Sequence, residues 1–185
     1  MHRISVVGCP GSGKTTFARA IAQVISAPHL ELDSVYHQAD WTPLPDAQFV
    51  ARVTEFAAAE RWVVDGNYTR SGVQDVLWER ADTVVWLDLP RPQVMWHVTT
   101  RSLSRVLRGT ELWNGNRERL RNLVATDPNE NIVRWAWTQY DRIGAKFADK
   151  LRDPRWVGLN YLRVRTRAQQ RALLHELARH SSHPV

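Results

Sequence analysis

The sequence predicts an α/β fold in which a mainly parallel sheet carries helices on both faces. Short apolar runs alternate with stretches in which apolar residues recur at helical spacing, the pattern of strands joined by crossover helices. A glycine-rich turn over 8–13 joins the first such run to the first helical stretch. A chain of 185 residues is long enough to bury a sizeable core, and we expect one domain over residues 1–185.

Five strands are predicted from short apolar runs that begin or end at turn-forming residues. The first run ends at Gly8, the second follows Pro28, and the third stops at Gly66. The predicted strands cover residues 4–7, 29–32, 61–65, 82–88 and 156–164. All are short enough to be buried strands of a parallel sheet.

The predicted helices follow from apolar spacing and from residues that favour helix ends. Asp46 is a predicted N-cap, Pro92 opens a helix, and Thr166 with Gln169 forms a capping box. The predicted helices cover residues 14–25, 46–57, 92–107, 118–125, 130–150 and 166–179. Residues 41–45 and 109–117 are predicted loops.

The composition excludes several classes of protein. Hydrophobic residues make up 43% and charged residues 24%, which is typical of globular proteins and not of disordered or collagen-like chains. Apolar runs such as 84–87 are far shorter than the ~20 residues that cross a bilayer. Without a signal-peptide pattern at the start, we expect a soluble cytoplasmic protein. Cys9 is the single cysteine, which excludes an intrachain disulfide and a multi-cysteine zinc site.

Positive charge is concentrated in the second half of the chain. Residues 1–100 carry 8 basic and 11 acidic side chains, whereas residues 101–185 carry 17 basic and 8 acidic ones. Most of the basic residues are arginines, whose planar fork of donors suits phosphate and carboxylate groups. This excess of positive charge has three interpretations: the chain binds phosphorylated small molecules, it binds a nucleic-acid backbone, or the arginines lie on solvated helix faces.

The strongest motif is the octapeptide Gly-Cys-Pro-Gly-Ser-Gly-Lys-Thr at 8–15, here called the phosphate loop. It matches G-x-x-x-x-G-K-[ST] and lies between a predicted strand and a predicted helix. Glycines let the backbone amides turn toward a polyphosphate, the Lys14 ammonium reaches the β- and γ-phosphates, and the Thr15 hydroxyl ligates Mg²⁺. The predicted nucleotide-binding residues are Gly8, Pro10, Gly11, Ser12, Gly13, Lys14, Thr15 and Thr16.

The rest of the chain narrows the class of nucleotide-binding protein. The N-K-x-D motif by which GTPases recognise the base is missing from the sequence, and helicases need a longer chain. Small kinases that transfer a γ-phosphoryl group remain.

Several segments resemble the adenylate-kinase-related P-loop proteins, and more closely the bacterial group labelled DNA topology modulation or FlaR-like proteins. The matching segments are 8–16, 32–33, 62–68, 85–90 and 112–118. The resemblance spans residues 1 to about 165 and implies a P-loop NTPase fold, with a five-stranded parallel sheet in the order 2-3-1-4-5. It also implies an acceptor-binding segment at about 34–60, a short lid at about 108–128, and ATP with Mg²⁺ as cofactors.

Three aspartates follow apolar runs, at the edge of the sheet where α/β proteins bind ligands. Asp33 ends the second predicted strand, and the resemblance to shikimate-kinase-like enzymes implies that it contacts the acceptor hydroxyl; a turn aspartate is the alternative. Glu31 is a second candidate. Asp65 is the candidate for holding the metal, and Asp88 competes for that role. The resemblance favours Asp65, because the family places the third strand beside the first.

Five arginines lie in or next to the predicted lid. Three of them, Arg101, Arg105 and Arg108, share one helical face, and Arg117 and Arg119 follow. In the family, arginines here clamp the transferring phosphoryl group and stack on the adenine, which makes Arg101 and Arg117 candidate catalytic residues and Arg105 and Arg119 candidate nucleotide-binding residues. A solvated basic face is the alternative for each of them.

Two functions remain open. The first is an ATP-dependent kinase acting on a nucleotide or another small molecule, as a monomer or homodimer, with Trp41 and Trp113 bordering the acceptor pocket. The second is a nucleotide-dependent regulator that binds DNA, which the basic second half suggests but no nucleic-acid-binding motif supports.

Overall fold

A five-stranded parallel sheet in the order β2-β3-β1-β4-β5 forms the centre of the molecule. The structure is a computed structural model that describes residues 1–69, 71–118, 127 and 131–181. The strands are β1 (Arg3–Gly8), β2 (His29–Glu31), β3 (Trp62–Asp65), β4 (Thr83–Leu87) and β5 (Asn160–Val164). Both the predicted fold class and the predicted strand order are confirmed.

Helices connect the strands. They are α1 (Lys14–Val24), α2 (Leu32–Tyr36), α3 (Asp46–Phe56), α4 (Val73–Arg80), α5 (Arg91–Arg108), α6 (Ile132–Lys150) and α7 (Arg167–Ser181). Single 3₁₀ turns lie at Ala39–Trp41, Trp113–Gly115 and Pro154–Trp156. The predicted helix over 118–125 falls almost wholly outside the described residues. In the described part of the chain, no helix combines the length and apolarity needed to cross a membrane.

Side chains alternate between the two faces of the sheet, and each face carries its own apolar core. One core includes Val64 and Val84 and packs them against aromatic side chains such as Trp78 and Phe147. The other includes Val6 and packs it against α1 and α7. Because helices bury both faces, the carboxyl edge of the sheet is left as the place where polar side chains gather.

Three predictions about local structure were wrong, and the helices α2 and α4 were not predicted. The second strand ends at Glu31, and Asp33 lies in the first turn of α2 rather than at a strand end, because the chain becomes helical at Leu32, whose side chain is buried in the core. The helix α3 starts after Pro45, so Asp46 is a first-turn residue and not the N-cap.

The missed helix α4 and the third wrong prediction concern elements with weak local patterns. Two helical turns are too short to show the spacing of an amphipathic helix, and α4 was therefore not predicted. The fifth strand starts at Asn160 and not at Trp156, because Asp153 accepts a hydrogen bond from the Arg155 amide and starts a 3₁₀ turn. The predicted capping box of α7 is present: the Gln169 amide donates to Thr166 Oγ1 at 3.1 Å and the Thr166 amide to Gln169 Oε1 at 3.2 Å.

Candidate active site

The phosphate loop is held in shape by its neighbours on both sides. The Ser12 amide donates to the Cys9 carbonyl at 3.0 Å, which closes the turn. Asn67 bonds both backbone groups of Gly8, accepting from its amide at 3.2 Å and donating to its carbonyl at 2.5 Å. The loop is therefore fixed to the segment that follows β3, a contact that sequence analysis missed.

A histidine on α5 fixes the other side of the loop. His97 Nδ1 donates to the Gly11 carbonyl at 3.0 Å, since a carbonyl can only accept. The other ring nitrogen, Nε2, accepts from Arg167 at 3.2 Å, so the ring is the neutral tautomer that carries its proton on Nδ1. Only the folded structure brings residue 97 to residue 11, and the sequence offers no signal for this pair.

Lys14 lies over the loop, among charged side chains. Its Nζ donates to the Cys9 carbonyl at 3.2 Å. Burial lowers the pKa of Lys14, Asp65 and Asp33 act against that effect, and the charge of Arg101 adds to it. Three predicted site residues from three different elements, Asp65, Asp33 and Arg101, thus lie within electrostatic reach of Lys14.

Two carboxylates surround the Thr15 hydroxyl. Thr15 Oγ1 lies 2.9 Å from Asp65 Oδ1 and 3.2 Å from Glu31 Oε1. Asp65 is 2% exposed, and its second oxygen lies 2.8 Å from His29 Nε2. The β1–β3 register places Asp65 beside Val6, just before the phosphate loop, which is why a strand-end aspartate reaches a residue of the first helix.

The donor set around Thr15 suits Mg²⁺. Hydroxyl and carboxylate oxygens are the ligands this ion prefers, and it commonly binds through one or two carboxylates together with phosphate oxygens. Among the described residues, no group of three or more His, Cys, Asp or Glu side chains could hold a metal on its own. Thr15, Asp65 and Glu31 therefore fit a Mg²⁺ ion that a bound nucleotide helps to hold.

The loop also fits a polyphosphate. The Ser12 side chain is 1% exposed, and its hydroxyl has no hydrogen-bond partner among the described residues. The first amides of α1, which begins at Lys14, have no acceptor inside the helix. A buried hydroxyl, free amides and a lysine in one loop form a site for an anion.

Asp88 is engaged elsewhere. Its Oδ2 accepts from Arg163 Nη2 at 2.6 Å and lies 3.5 Å from Arg165 Nε. Arg163 lies in β5 and Arg165 directly follows that strand, on the side of β1 opposite to β3. Of the two candidate metal-supporting aspartates, Asp65 alone bonds to Thr15.

A tyrosine that sequence analysis did not single out binds Asp33. The Tyr68 hydroxyl donates to Asp33 Oδ1 at 2.6 Å and lies 3.5 Å from His37 Nε2. Burial, followed by the charge of Asp33, raises the pKa of Tyr68, which keeps the hydroxyl protonated as a donor. Burial also lowers the pKa of His37, against the opposing charge of Asp33. His37 in turn contacts the rings of Trp41 and Trp113.

The predicted arginines differ in how they are engaged. Arg105 Nη1 pairs with Glu118 Oε1 at 2.8 Å, and Arg117 Nη2 pairs with Glu111 at 3.4 Å on an exposed surface. Arg101 has no carboxylate partner in the described part of the chain. Arg119 lies outside the described residues. Arg101 therefore acts on the charge of Lys14, whereas Arg105 and Arg117 are held by Glu118 and Glu111, within the predicted lid.

Comparison with known proteins gives a match at the level of structure. No family model and no curated protein matches the sequence. A gluconokinase from Sinorhizobium meliloti 1021 superposes with a TM-score of 0.53 at 20% identity, over 98% of this chain and 94% of its own. A shikimate kinase from Acinetobacter baumannii, solved in complex with shikimate, superposes with a TM-score of 0.53 at 20% identity, over 96% of this chain and 90% of its own. The chain has the α/β P-loop fold that these two kinases share.

Proposed function

We propose that the chain is an ATP-dependent kinase that transfers the γ-phosphoryl group of Mg²⁺-ATP to a hydroxylated or nucleotide-like small molecule. One observation carries the proposal: the Thr15 hydroxyl bonds to Asp65 at 2.9 Å directly behind the loop that carries Lys14. A hydroxyl, a carboxylate and an ammonium in this order form the combination that binds a metal-bound triphosphate.

On the nucleotide side, the geometry supports the following roles. The phosphate loop binds the triphosphate, Lys14 neutralises the β- and γ-phosphates, and Thr15 and Asp65 support the metal, with Glu31 beside them. When bound, Mg²⁺ neutralises charge on the transferring group. His29 holds Asp65 Oδ2, so that Oδ1 stays directed at Thr15.

On the acceptor side, Asp33 orients the acceptor hydroxyl. Its Oδ1 is held by Tyr68, while Oδ2 has no hydrogen-bond donor among the described residues. A carboxylate fixed in this way can accept the acceptor's hydroxyl proton, although most of the rate comes from positioning and charge. Residues 34–60 form the acceptor-binding segment in this proposal.

The lid arginines act on the charge that develops during transfer. Arg101 lies near Lys14 without a carboxylate partner among the described residues, so it is available to the γ-phosphate. Arg105 and Arg117 would have to exchange Glu118 and Glu111 for phosphate or adenine, which assigns them to a step that accompanies lid closure over about 108–128. Arg119 completes the proposed set.

We propose the finer assignment, to the adenylate-kinase-related proteins and their FlaR-like group, on the sequence segments that resemble them. Thr15 stands where adenylate kinases carry glycine, and the lid is short. Both differences favour an acceptor other than AMP. The DNA-binding alternative stays a prediction; a steep fall of duplex affinity with salt would support it.

A turnover screen tests the proposal. ADP release from Mg²⁺-ATP is measured with nucleoside monophosphates, nucleosides, sugar acids and cyclic polyols as acceptors. An acceptor that stimulates release supports the proposal, and Asp33→Asn is then expected to lower kcat at least a hundredfold with little change in ATP affinity. If ATP binds and no acceptor in any of these classes stimulates release, the kinase assignment is wrong.

A further inference from the structure

Two seven-residue turns of this chain have the same backbone. We call 37–43 the acceptor turn and 111–117 the lid turn. In each, the first and last residues form an antiparallel bridge around one 3₁₀ turn. The second amide donates to the sixth carbonyl, at 2.8 Å in the acceptor turn and 2.7 Å in the lid turn. The sixth amide donates to the third carbonyl at 3.2 Å in both.

The match extends to the left-handed residues. The fourth residue, Asp40 or Asn114, has a φ of 55° in both turns. The fifth residue also has a positive φ, which is 58° at Trp41 and 80° at Gly115. A left-handed tryptophan is uncommon and strained, and such a residue persists where its surroundings hold it. The acceptor turn therefore depends on contacts from outside itself.

Those contacts come from asparagines of the lid turn. Asn116 is 4% exposed, and its Oδ1 accepts from the strained Trp41 amide at 2.8 Å. Its Nδ2 donates to the Gln38 carbonyl at 2.8 Å and to its own turn's Trp113 carbonyl at 2.9 Å. From the same turn, Asn114 donates to the His37 carbonyl at 2.5 Å. The two turns thus face each other and are joined by side chain to backbone bonds.

The joined turns support a cluster of rings next to Asp33. The His37 ring stacks on Trp113 at 5.9 Å between centroids and meets the edge of Trp41 at 5.3 Å. His37 Nε2 lies 3.5 Å from the hydroxyl of Tyr68, which binds Asp33. Loss of the hydrogen bonds between the two turns would free the His37 ring, which lies next to the Tyr68–Asp33 pair.

We propose that Asn116 is a positioning residue that fastens the lid turn to the acceptor turn, so that the two move as one body and hold His37 and Trp41 beside Asp33. This rests on the proposed function, which assigns Asp33 and residues 34–60 to the acceptor. Any displacement of the lid turn would then carry the acceptor turn and its rings with it. Asn116 does not touch the reacting groups.

Amide hydrogen exchange on the full chain tests the proposal without a known acceptor. In Asn116→Ala, exchange of the Trp41 amide is expected to rise at least about tenfold, together with amides of both turns, while β1 and α1 keep wild-type rates. Asn116→Asp keeps an acceptor for the Trp41 amide but loses the Nδ2 donor, so Trp41 should regain protection. Asn160→Ala, an exposed asparagine on β5, is the matched control and should change neither turn.

Two outcomes of the exchange experiment count against the proposal. Wild-type exchange in the acceptor turn of Asn116→Ala, or a rise spread evenly over the whole chain, would overturn the proposal. ATP titration of the same variants should give the wild-type affinity. If the wild-type protein itself does not bind ATP, the proposed function fails. The exchange experiment still decides in that case whether Asn116 couples the two turns. With an acceptor from the turnover screen, Asn116→Ala should raise its KM about tenfold and leave the KM for ATP unchanged.

Discussion

Alanine substitutions at two glycines of the phosphate loop separate backbone strain from packing. Gly11 and Gly13 have almost the same φ, +85° and +84°. A Cβ at Gly11 would lie 2.5 Å from the Val94 carbonyl oxygen and 3.1 Å from Val98 Cβ, both on α5, whereas a Cβ at Gly13 meets nothing within 4 Å. The pair therefore tests whether the loop rests on the helix that carries Arg101.

The two substitutions should differ by about 1–3 kcal/mol in their cost to stability. A left-handed non-glycine residue costs about 1–2 kcal/mol, and both variants share this term. Gly11→Ala adds an overlap with a backbone atom that cannot rotate away, worth about 1–3 kcal/mol by comparison with overpacked cores. For a domain of this size, 1 kcal/mol lowers Tm by about 2–4 °C. Gly13→Ala should then lower Tm by about 2–8 °C, and Gly11→Ala should lower it by about 2–12 °C more.

Thermal unfolding followed by circular dichroism measures both values. The wild-type protein and both variants are compared without nucleotide, so that any difference reports the fold alone. Equal losses of Tm for the two variants would refute the reasoning, because they would mean that α5 does not support the loop at Gly11.

Two further predictions concern the carboxylates and the buried thiol. Asp65→Asn should weaken Mg²⁺-dependent ATP binding by about tenfold or more, because it removes the carboxylate that contacts Thr15. Asp88→Asn loses only its arginine pairs and should leave ATP binding unchanged. Calorimetry measures ATP binding to both variants, and the reverse order of effects would make Asp88 the metal-supporting residue. Burial raises the pKa of the Cys9 thiol to about 11, with Lys14 and Arg91 opposing the shift, while an unfolded chain ionises near 9.0. The unfolded state therefore loses this proton first, so the free energy of unfolding should decrease as the pH rises from about 9 to about 11. Cys9→Ala should remove that part of the pH dependence. An unchanged dependence of the unfolding free energy on pH in this variant would contradict the prediction.

Sequence analysis predicted the sheet because its signals are local. A buried strand of a parallel sheet is a short apolar run, and β1, β3 and β4 each contain one. The phosphate loop is also contiguous, so its glycines, Lys14 and Thr15 are recognisable without the fold. Strand order, in contrast, followed from the resemblance and was confirmed by the structure.

The contacts that organise the site join residues far apart in the chain, and no local pattern reports them. The bonds from Tyr68 to Asp33 and from His97 to Gly11 depend on which helices the sheet brings together. The hydrogen bond between Asn116 and Trp41 joins two residues that lie 75 positions apart in the chain. Of the missed residues, Asn67 was the easiest to predict from the sequence, because it directly follows the Asp65-Gly66 pair at the end of β3.

Calorimetric titration of ATP into the wild-type chain and into Lys14→Ala, with and without Mg²⁺, tests the central claim most directly. Because Lys14 supplies the ammonium of the phosphate loop, we expect saturable binding to the wild-type chain that strengthens with Mg²⁺. Binding should be lost in Lys14→Ala, while its circular dichroism spectrum stays that of the wild type. Equal ATP binding by the folded variant, or no binding by the wild-type chain in the presence of Mg²⁺, would contradict the account.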